Sequence, residues 1–201
     1  AAEYERRYRQ YADTPQPLLT ATDLHVEIYP VRRTVAIRGT YRLANKSAVP
    51  IDVIHLATVP EVQTSEVVFD RPATRMLADD ALGHGIYALA EPLQPGDAIT
   101  LRFAVDYAPH GFRNDGIDAL VVANGTLFNN REWLPAIGYQ PNRELRDIAD
   151  RRVHGLSAAP SIPGSLYDPA ARQYMGGAEL IDFAVVVGTD ADQVAIAPGS
   201  L

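Results

Sequence analysis

The chain contains no cysteine. Disulfides, thiolate zinc sites and cysteine nucleophiles are therefore excluded, but the redox compartment stays open because periplasmic proteins can also lack cysteine. No apolar run approaches the roughly 18 residues that a membrane-spanning helix needs, and no signal-peptide pattern opens the chain. The formal net charge of −7 argues against a general nucleic-acid-binding surface. The opening residues look instead like a segment taken from within a longer polypeptide.

The chain also lacks the usual catalytic motifs. The H-E-x-x-H zinc site needs two histidines one helical turn apart and a glutamate, and no histidines here have that spacing. The five histidines are His25, His55, His84, His110 and His154. There is no G-x-S-x-G nucleophile elbow and no phosphate-binding G-x-x-x-x-G-K motif. We therefore expect no catalytic residue, no metal and no cofactor in this chain.

Adjacent acids leave one catalytic alternative open. Asp79, Asp80 and the acids at 115–118 can be interpreted as calcium-binding loops or as the acid/base pairs of a small complete hydrolase. Because aspartate suits the backbone geometry of turns, we favour their interpretation as solvated turn residues.

What the chain does contain is β-strand patterning. Apolar and polar residues alternate across 24–46, which predicts two antiparallel strands with one buried and one wet face each. Pro30 cannot donate to a strand ladder, so the first strand is predicted to end there. A turn at Pro95-Gly96 leads into a second alternating stretch, in which one face is shared by Ile99, Leu101, Phe103 and Val105.

Shorter strand signals recur every 8–12 residues or so, as is typical of sandwiches and curved sheets. They lie at 51–59, 62–69, 75–77, 84–90, 178–188 and 194–197, with a hairpin around Asn124-Gly125. The predicted fold class is mainly β, an antiparallel β-sandwich or saddle-shaped sheet assembly with a few short helices. Residues 1–17 are predicted to form a helix and linker, and 18–201 a single β domain with a loop and short-helix insertion at about 140–176.

Three short helices are predicted. Tyr4, Tyr8 and Tyr11 recur at helical spacing and predict a helix that packs its tyrosines on the sheet or, alternatively, presents them to a partner. Asn142 is predicted to cap a second helix, and Asp168-Pro169 to begin a third after a surface loop at 156–166.

The most distinctive polar and aromatic cluster follows the Asn124-Gly125 hairpin. Asn129, Asn130 and Trp133 can line a rim that contacts a ligand or an adjoining domain. Alternatively, Trp133 fills the core and the asparagines shape the turn. The sequence leaves both interpretations open.

The chain resembles the N-terminal β domain of M1-family metallopeptidases. The resemblance rests on three stretches: LHVEIYPVRRTVAIRGTYRLANKS, LQPGDAITLRFAVDYAPHGF and, most specifically, NGTLFNNREWLPAIGYQPNREL. It is strongest to the branch in which a bacterial ABC-2-type transporter permease is fused to an M1 aminopeptidase-like region. The resemblance implies a non-catalytic domain that walls the substrate cleft, packs on a downstream catalytic domain and contacts a peptide substrate. Zinc is implied only in that downstream domain.

The resemblance also implies which residues approach the cleft. In many M1 enzymes this domain lends a polar side chain to the pocket for the substrate's amino end, just before a W/F-P-C-x-D-E-P block. Here the block is at 133–141, with Ala136 in place of the cysteine and Gly138 to Gln140 in place of the acids. The candidate cleft residues are Asn129, Asn130, Trp133 and Tyr139.

The resemblance implies that the longer protein is a membrane protein of the bacterial inner membrane and that this domain lies on the extracytoplasmic side. The tyrosine-rich start fits a segment that follows a final transmembrane helix. The alternative from a different functional class is a free-standing β-sandwich that binds a peptide, a glycan or a membrane partner, through exposed aromatics such as Tyr139 or Trp133.

Overall fold

The computed structural model describes residues 1–109, 120–127, 129, 133–157 and 180–199. The chain divides into two compact units: a smaller one of Ala1–Thr14 and Tyr139–Leu180, and a larger one of Pro15–Gly138 and Ile181–Leu201. The single β domain over 18–201 and the linker over 1–17 stay predictions. None of the described helices is long and apolar enough to cross a membrane.

The larger unit is built from strands. In chain order they are β1 (Leu18–Tyr29), β2 (Thr34–Ala44), β3 (Ile51–Ala57), β4 (Gln63–Phe69), β5 (Ala73–Asp79), β6 (His84–Leu93), β7 (Ala98–Tyr107), β8 (Val121–Val122), β9 (Gly125–Thr126), β10 (Ala136–Ile137) and β11 (Asp182–Gly188). They form a five-stranded sheet in the order β11-β1-β2-β7-β4, a four-stranded sheet in the order β10-β3-β6-β5, and the short hairpin β8-β9. The predicted mainly β fold class is confirmed.

The hairpin predicted at 24–46 is confirmed. β1 ends at Tyr29, immediately before Pro30, and pairs antiparallel with β2. β7 pairs with the other side of β2, so the two strongest strand patterns in the sequence are hydrogen-bonded neighbours. One pair departs from the antiparallel rule, because β11 runs parallel to β1.

A single hydrophobic cluster joins the inner faces of the two larger sheets. The alternating residues of β7 supply much of it, since Ile99, Leu101 and Val105 are at most 1% exposed. Phe69 of the five-stranded sheet meets Tyr87 of the four-stranded sheet edge to face, with ring centroids 5.4 Å apart. Contacts of this kind make the larger unit a two-sheet sandwich.

Among the residues that the structure describes, the smaller unit has two short α-helices, α1 (Ala2–Tyr8) and α2 (Ile148–Val153). The tyrosine pattern correctly predicts α1, in which Tyr4 and Tyr8 are buried. The predicted cap at Asn142 is wrong: residues Pro141–Arg143 form only a 3₁₀ turn. The helix begins later, where the side chain of Asp147 accepts a hydrogen bond from the Asp150 amide at 2.9 Å.

Glu144 explains the late start of α2. Its backbone is extended, with ψ at 154°, so it cannot continue a helix. Tyr139 Oη donates to one Glu144 carboxylate oxygen at 2.9 Å, and Arg9 lies 3.4 Å from the other. These bonds hold the carboxylate away from the helix path.

Two further predictions concern the last third of the chain. The strand predicted at 178–188 is confirmed for its part at 182–188, which forms β11, whereas residues 178 and 179 lie outside the described residues. A strand at 194–197 is wrong, because those residues form no ladder with any described strand, and Val194 and Ile196 are 87% and 92% exposed. The predicted helix start at Asp168-Pro169 and most of the 156–166 loop lie outside the described residues.

Candidate functional site

One concave feature of the larger unit is an apolar groove of about 770 Å³ on the five-stranded sheet. Its floor comes from β1, β2 and β11. Leu24 and Val26 of β1 point into it beside Val185 and Val187, which are their partners in the parallel ladder of β11. Because paired residues of neighbouring strands share a face, the parallel pairing extends the apolar floor across β11.

Two chain segments form the walls of the groove. One is the β8–β9 turn at 124–127, and the other is the segment at 189–198 that follows β11. The Gln193 side-chain amide donates a hydrogen bond to the Ala123 carbonyl oxygen at 2.8 Å, which ties the second wall to the first. The groove is therefore bounded by three parts of one unit.

The polar groups in the groove are few. Among its lining residues, Thr22 and Thr126 each have a buried hydroxyl with no hydrogen-bond partner among the described residues. Tyr41 also lines it, and burial raises the pKa of its phenol. Among the described lining residues, Asp192 is the only acidic or basic side chain. Small-molecule sites usually combine an apolar lining with a small number of polar groups.

A second feature of the larger unit is a buried histidine pair. Nδ1 of His55 on β3 lies 3.1 Å from Nε2 of His84 on β6, and the residues are 2% and 1% exposed. Burial lowers the pKa of His55. The pair is not evident from the sequence, because the two residues are 29 positions apart and only the antiparallel register brings them together. No group of three or more potential metal ligands exists among the described residues.

The four predicted cleft residues lie in different surroundings. Trp133 is 0% exposed and packs edge to face on Tyr107, with centroids 5.2 Å apart, inside the larger unit. Tyr139 is 8% exposed in the smaller unit, where it stacks on Tyr4 at 5.3 Å. Asn129 is exposed, and Asn130 lies outside the described residues. The expectation that Trp133 and Tyr139 are exposed aromatics is wrong, because each has an aromatic packing partner.

Solved structures that resemble this chain include M1 zinc metallopeptidases. A mutant of the Deinococcus radiodurans enzyme bound to a Tyr-Ser-Ala substrate is 16% identical, and the match covers 51% of this chain and 23% of that one with a TM-score of 0.39. The M1 zinc metallopeptidase from Deinococcus radiodurans is 17% identical, with coverages of 50% and 22% and a TM-score of 0.39. This chain thus spans less than a quarter of their length. No family model and no curated protein matches it.

Residues 136–138, within the stretch that most specifically resembles M1 proteins, lie at the edge of the four-stranded sheet. β10 pairs with β3, with Ala136 opposite Ala57. The ladder continues in the bond from the Gly138 amide to the His55 carbonyl oxygen at 2.8 Å. Gly138 has φ of +81°, a left-handed backbone in which most side chains are strained. The left-handed conformation of Gly138 therefore changes the direction of the main chain immediately after Ile137.

Proposed function

We propose that this chain is the non-catalytic N-terminal β domain of a larger M1-like zinc aminopeptidase. In this proposal the domain walls one side of the substrate cleft and packs on a downstream catalytic domain that holds the zinc. Peptide substrate reaches the cleft wall near Asn129 and Asn130. The longer protein is of the type fused to a bacterial ABC-2 transporter permease, and the domain lies outside the inner membrane.

One observation carries the proposal: part of the stretch most similar to M1 proteins, residues 133–138, packs into the sandwich and pairs with its four-stranded sheet. Trp133 anchors it in the core, and β10 continues it as an edge strand of the four-stranded sheet. A wall that positions substrate has to be supported by packed side chains and main-chain bonds. Asn129 is exposed only four residues before this anchor, so a fixed scaffold lies beside a polar side chain that can contact a substrate.

Zinc content tests whether the metal is bound by the downstream domain and not by this one. We would measure the zinc content and aminopeptidase activity of this chain beside those of the soluble portion of the longer protein. About one zinc per longer chain, with none bound by this chain, supports the proposal. Stoichiometric zinc or turnover of aminoacyl substrates by this chain alone would overturn it.

The cleft-wall role needs a separate test in the longer protein. We expect Asn129→Ala to raise KM for peptides with little change in kcat, because a wall residue contributes uniform binding rather than transition-state stabilisation. Asn142→Ala, also an exposed asparagine, is the matched control and is expected to leave KM unchanged. Equal effects of the two substitutions would contradict a specific role for Asn129.

The groove favours a second candidate function, a free-standing binding module. Its volume of about 770 Å³ lies within the range of roughly 300–1,000 Å³ typical of ligand sites. Saturable binding by this chain alone, together with the absence of a zinc-containing longer protein, would support that function in place of the first.

A further inference from the structure

We propose that β11 is a self-association site: its free edge pairs antiparallel with β11 of a second copy of this chain. A two-fold axis relates the copies, and their five-stranded sheets join into one continuous sheet. The inference goes beyond the M1-like role, and it holds whether or not the chain belongs to a longer protein.

β11 has an open and regular edge. It is the last strand of the five-stranded sheet and pairs along one side with β1, while no described strand pairs with its other side. The ladder with β1 runs through all of Asp182–Gly188 without a register shift. The free side of an edge strand presents a row of unpaired main-chain N–H and C=O groups, which another strand can use.

The edge strands β4 and β5 of the same sandwich are interrupted. β4, at the opposite end of the five-stranded sheet, has a register shift between Ser65 and Val68, where Glu66 has a φ of +53°. β5, at one end of the four-stranded sheet, has a shift between Arg75 and Leu77. Irregularities of this kind bend the strand and hinder the addition of a further strand.

The remaining edge, on the other side of the four-stranded sheet, is closed in a different way. β10 consists of two residues only. Beyond it, the Gln16 side-chain amide donates to the Val53 carbonyl oxygen at 2.9 Å and accepts from the His55 amide at 2.8 Å. Gln16 thus occupies main-chain groups of β3 that a further strand would need. Among the described edges of the two larger sheets, only that of β11 has neither an interruption nor a cover.

The side chains of β11 favour an apolar strand as the partner. Its sequence, DFAVVVG, has one charged residue, Asp182, at the start. Phe183 and Val186 lie on opposite faces of the sheet and are 45% and 60% exposed. A partner strand therefore has to present apolar side chains on both faces. β11 of a second copy does so, and cross-strand pairs of β-branched and aromatic residues stabilise such a ladder.

The charges favour the antiparallel direction. When all seven residues of both copies pair antiparallel, Val185 meets its own copy at the axis and Asp182 lies opposite Gly188 of the other copy. A parallel arrangement would instead place the two Asp182 carboxylates side by side, which is destabilising. One like-charge approach remains, because Glu27 is the ladder partner of Gly188 and its carboxylate lies over that glycine. Asp182 of the second copy therefore approaches Glu27.

The first experiment measures sedimentation equilibrium and hydrogen exchange of the purified chain at rising concentrations. We expect a monomer–dimer equilibrium, with amides of β11 gaining protection as the dimer forms and amides of β5 unchanged. A monomer at every concentration, or a dimer that protects only β4 or β5, would overturn the proposal. Full protection of β11 in the monomer would show that another part of the chain covers the edge, which also overturns it.

The second experiment places a lysine on the edge. Val186→Lys should weaken the dimer about tenfold, because lysine on an edge strand opposes pairing and the two copies would bring like charges diagonally across the axis. Met76→Lys is the matched control, since Met76 is 67% exposed on the interrupted edge strand β5. It should leave the dimer unchanged. Equal losses in the two variants, or no loss in either, would refute the assignment to β11.

The third experiment predicts a gain, which a misfolded variant cannot produce. Asp182→Asn removes the approach to Glu27 at both ends of the pairing and should tighten the dimer about two- to fivefold. Asp52→Asn, at an exposed position of β3, changes the net charge equally and should have no effect. A dimer that Asp182→Asn leaves unchanged or weakens would contradict the antiparallel arrangement.

These outcomes are independent of the proposed function. Zinc in the longer protein tests the M1-like role, whereas dimerisation of this chain tests the edge of β11. Either result can fail without the other.

Discussion

The imidazole rings of His55 and His84 share a hydrogen bond of 3.1 Å inside the sandwich. One ring nitrogen must donate and the other accept, so the pair requires at least one unprotonated nitrogen. β3 and β6 place the pair within the four-stranded sheet, where Asp79 is the ladder partner of His84 across β5. Two buried side chains with so little contact with solvent cannot both take up a proton at low cost.

Acid should therefore destabilise the larger unit. Burial lowers the pKa of His55 below its usual value near 6.5, so between that value and the lowered one only the unfolded chain binds the proton. Stability is complete above pH 6.5 and falls as the pH decreases towards the folded-state pKa. The expected slope is up to about 1.4 kcal/mol per pH unit for this proton, measured by urea unfolding from pH 7.5 to 5.

Two variants isolate the histidine pair in that experiment. Replacing both residues with leucine removes both partners and should flatten the slope between pH 7.5 and 5. Val31→Ala is the control, because Val31 is 81% exposed and has no titratable group, and it should leave the slope unchanged. A slope that survives the double substitution would assign the acid sensitivity to other groups.

Trp133 should be a major source of stability for the larger unit. It is 0% exposed and packs on Tyr107, so Trp133→Ala is expected to lower the free energy of unfolding by about 3–5 kcal/mol. Trp133→Phe should cost less, since it keeps a ring against Tyr107. Val31→Ala, at an 81% exposed site, should change stability by less than about 0.5 kcal/mol. Similar costs for Trp133→Ala and Val31→Ala, measured by circular dichroism in urea, would contradict the core position.

The sequence was most informative where the determinants of structure are local. Alternation around Leu24 and Ile37, and the missing amide of Pro30, were enough to predict the β1–β2 hairpin. The parallel partner of β1 was not predictable, because residues 182–188 give the same strand signal whichever edge they join. The apolar floor of the groove depends on that pairing.

The same limit applies to the side-chain sites. Asn142 and Asp147 are equally good helix caps by residue type, and the choice between them depends on the distant Arg9 as well as on Tyr139, through their bonds to Glu144. The sequence alone does not decide whether Trp133 is buried in the core or exposed, because this depends on where Tyr107 lies in the folded sheet. Tertiary contacts decide these cases, and local propensity does not.

Position 39 needs a glycine because the Phe103 ring lies directly over it. It is opposite Phe103 in the β2–β7 ladder, and a Cβ at Gly39 would lie 2.2 Å from Cζ of that ring. Gly39→Ala should therefore cost about 1–3 kcal/mol of stability through overpacking. In a Phe103→Leu background the same substitution should cost clearly less, since the ring is gone. Equal costs in the two backgrounds, measured by thermal unfolding, would show that the clash is not the cause.

Glu5 and Arg151 form the buried ion pair of the smaller unit. The Arg151 guanidinium donates to both Glu5 carboxylate oxygens, at 2.9 and 2.7 Å, and both residues are 2% exposed. Arg151 holds the pKa of Glu5 below its ordinary value. The pair therefore contributes stability above pH 4.5 that is lost as the pH falls towards the lowered pKa.

A double-mutant cycle tests whether the pair acts as a unit. Glu5→Gln and Arg151→Met should each destabilise α1, because each leaves the other charged or polar group buried without its partner. The double variant should be less destabilised than the sum of the two single variants. Hydrogen exchange at the amides of α1 measures the effect directly, with Glu3→Gln as a control at a half-exposed ion pair. Additive losses across the cycle would mean that the two side chains stabilise the unit independently.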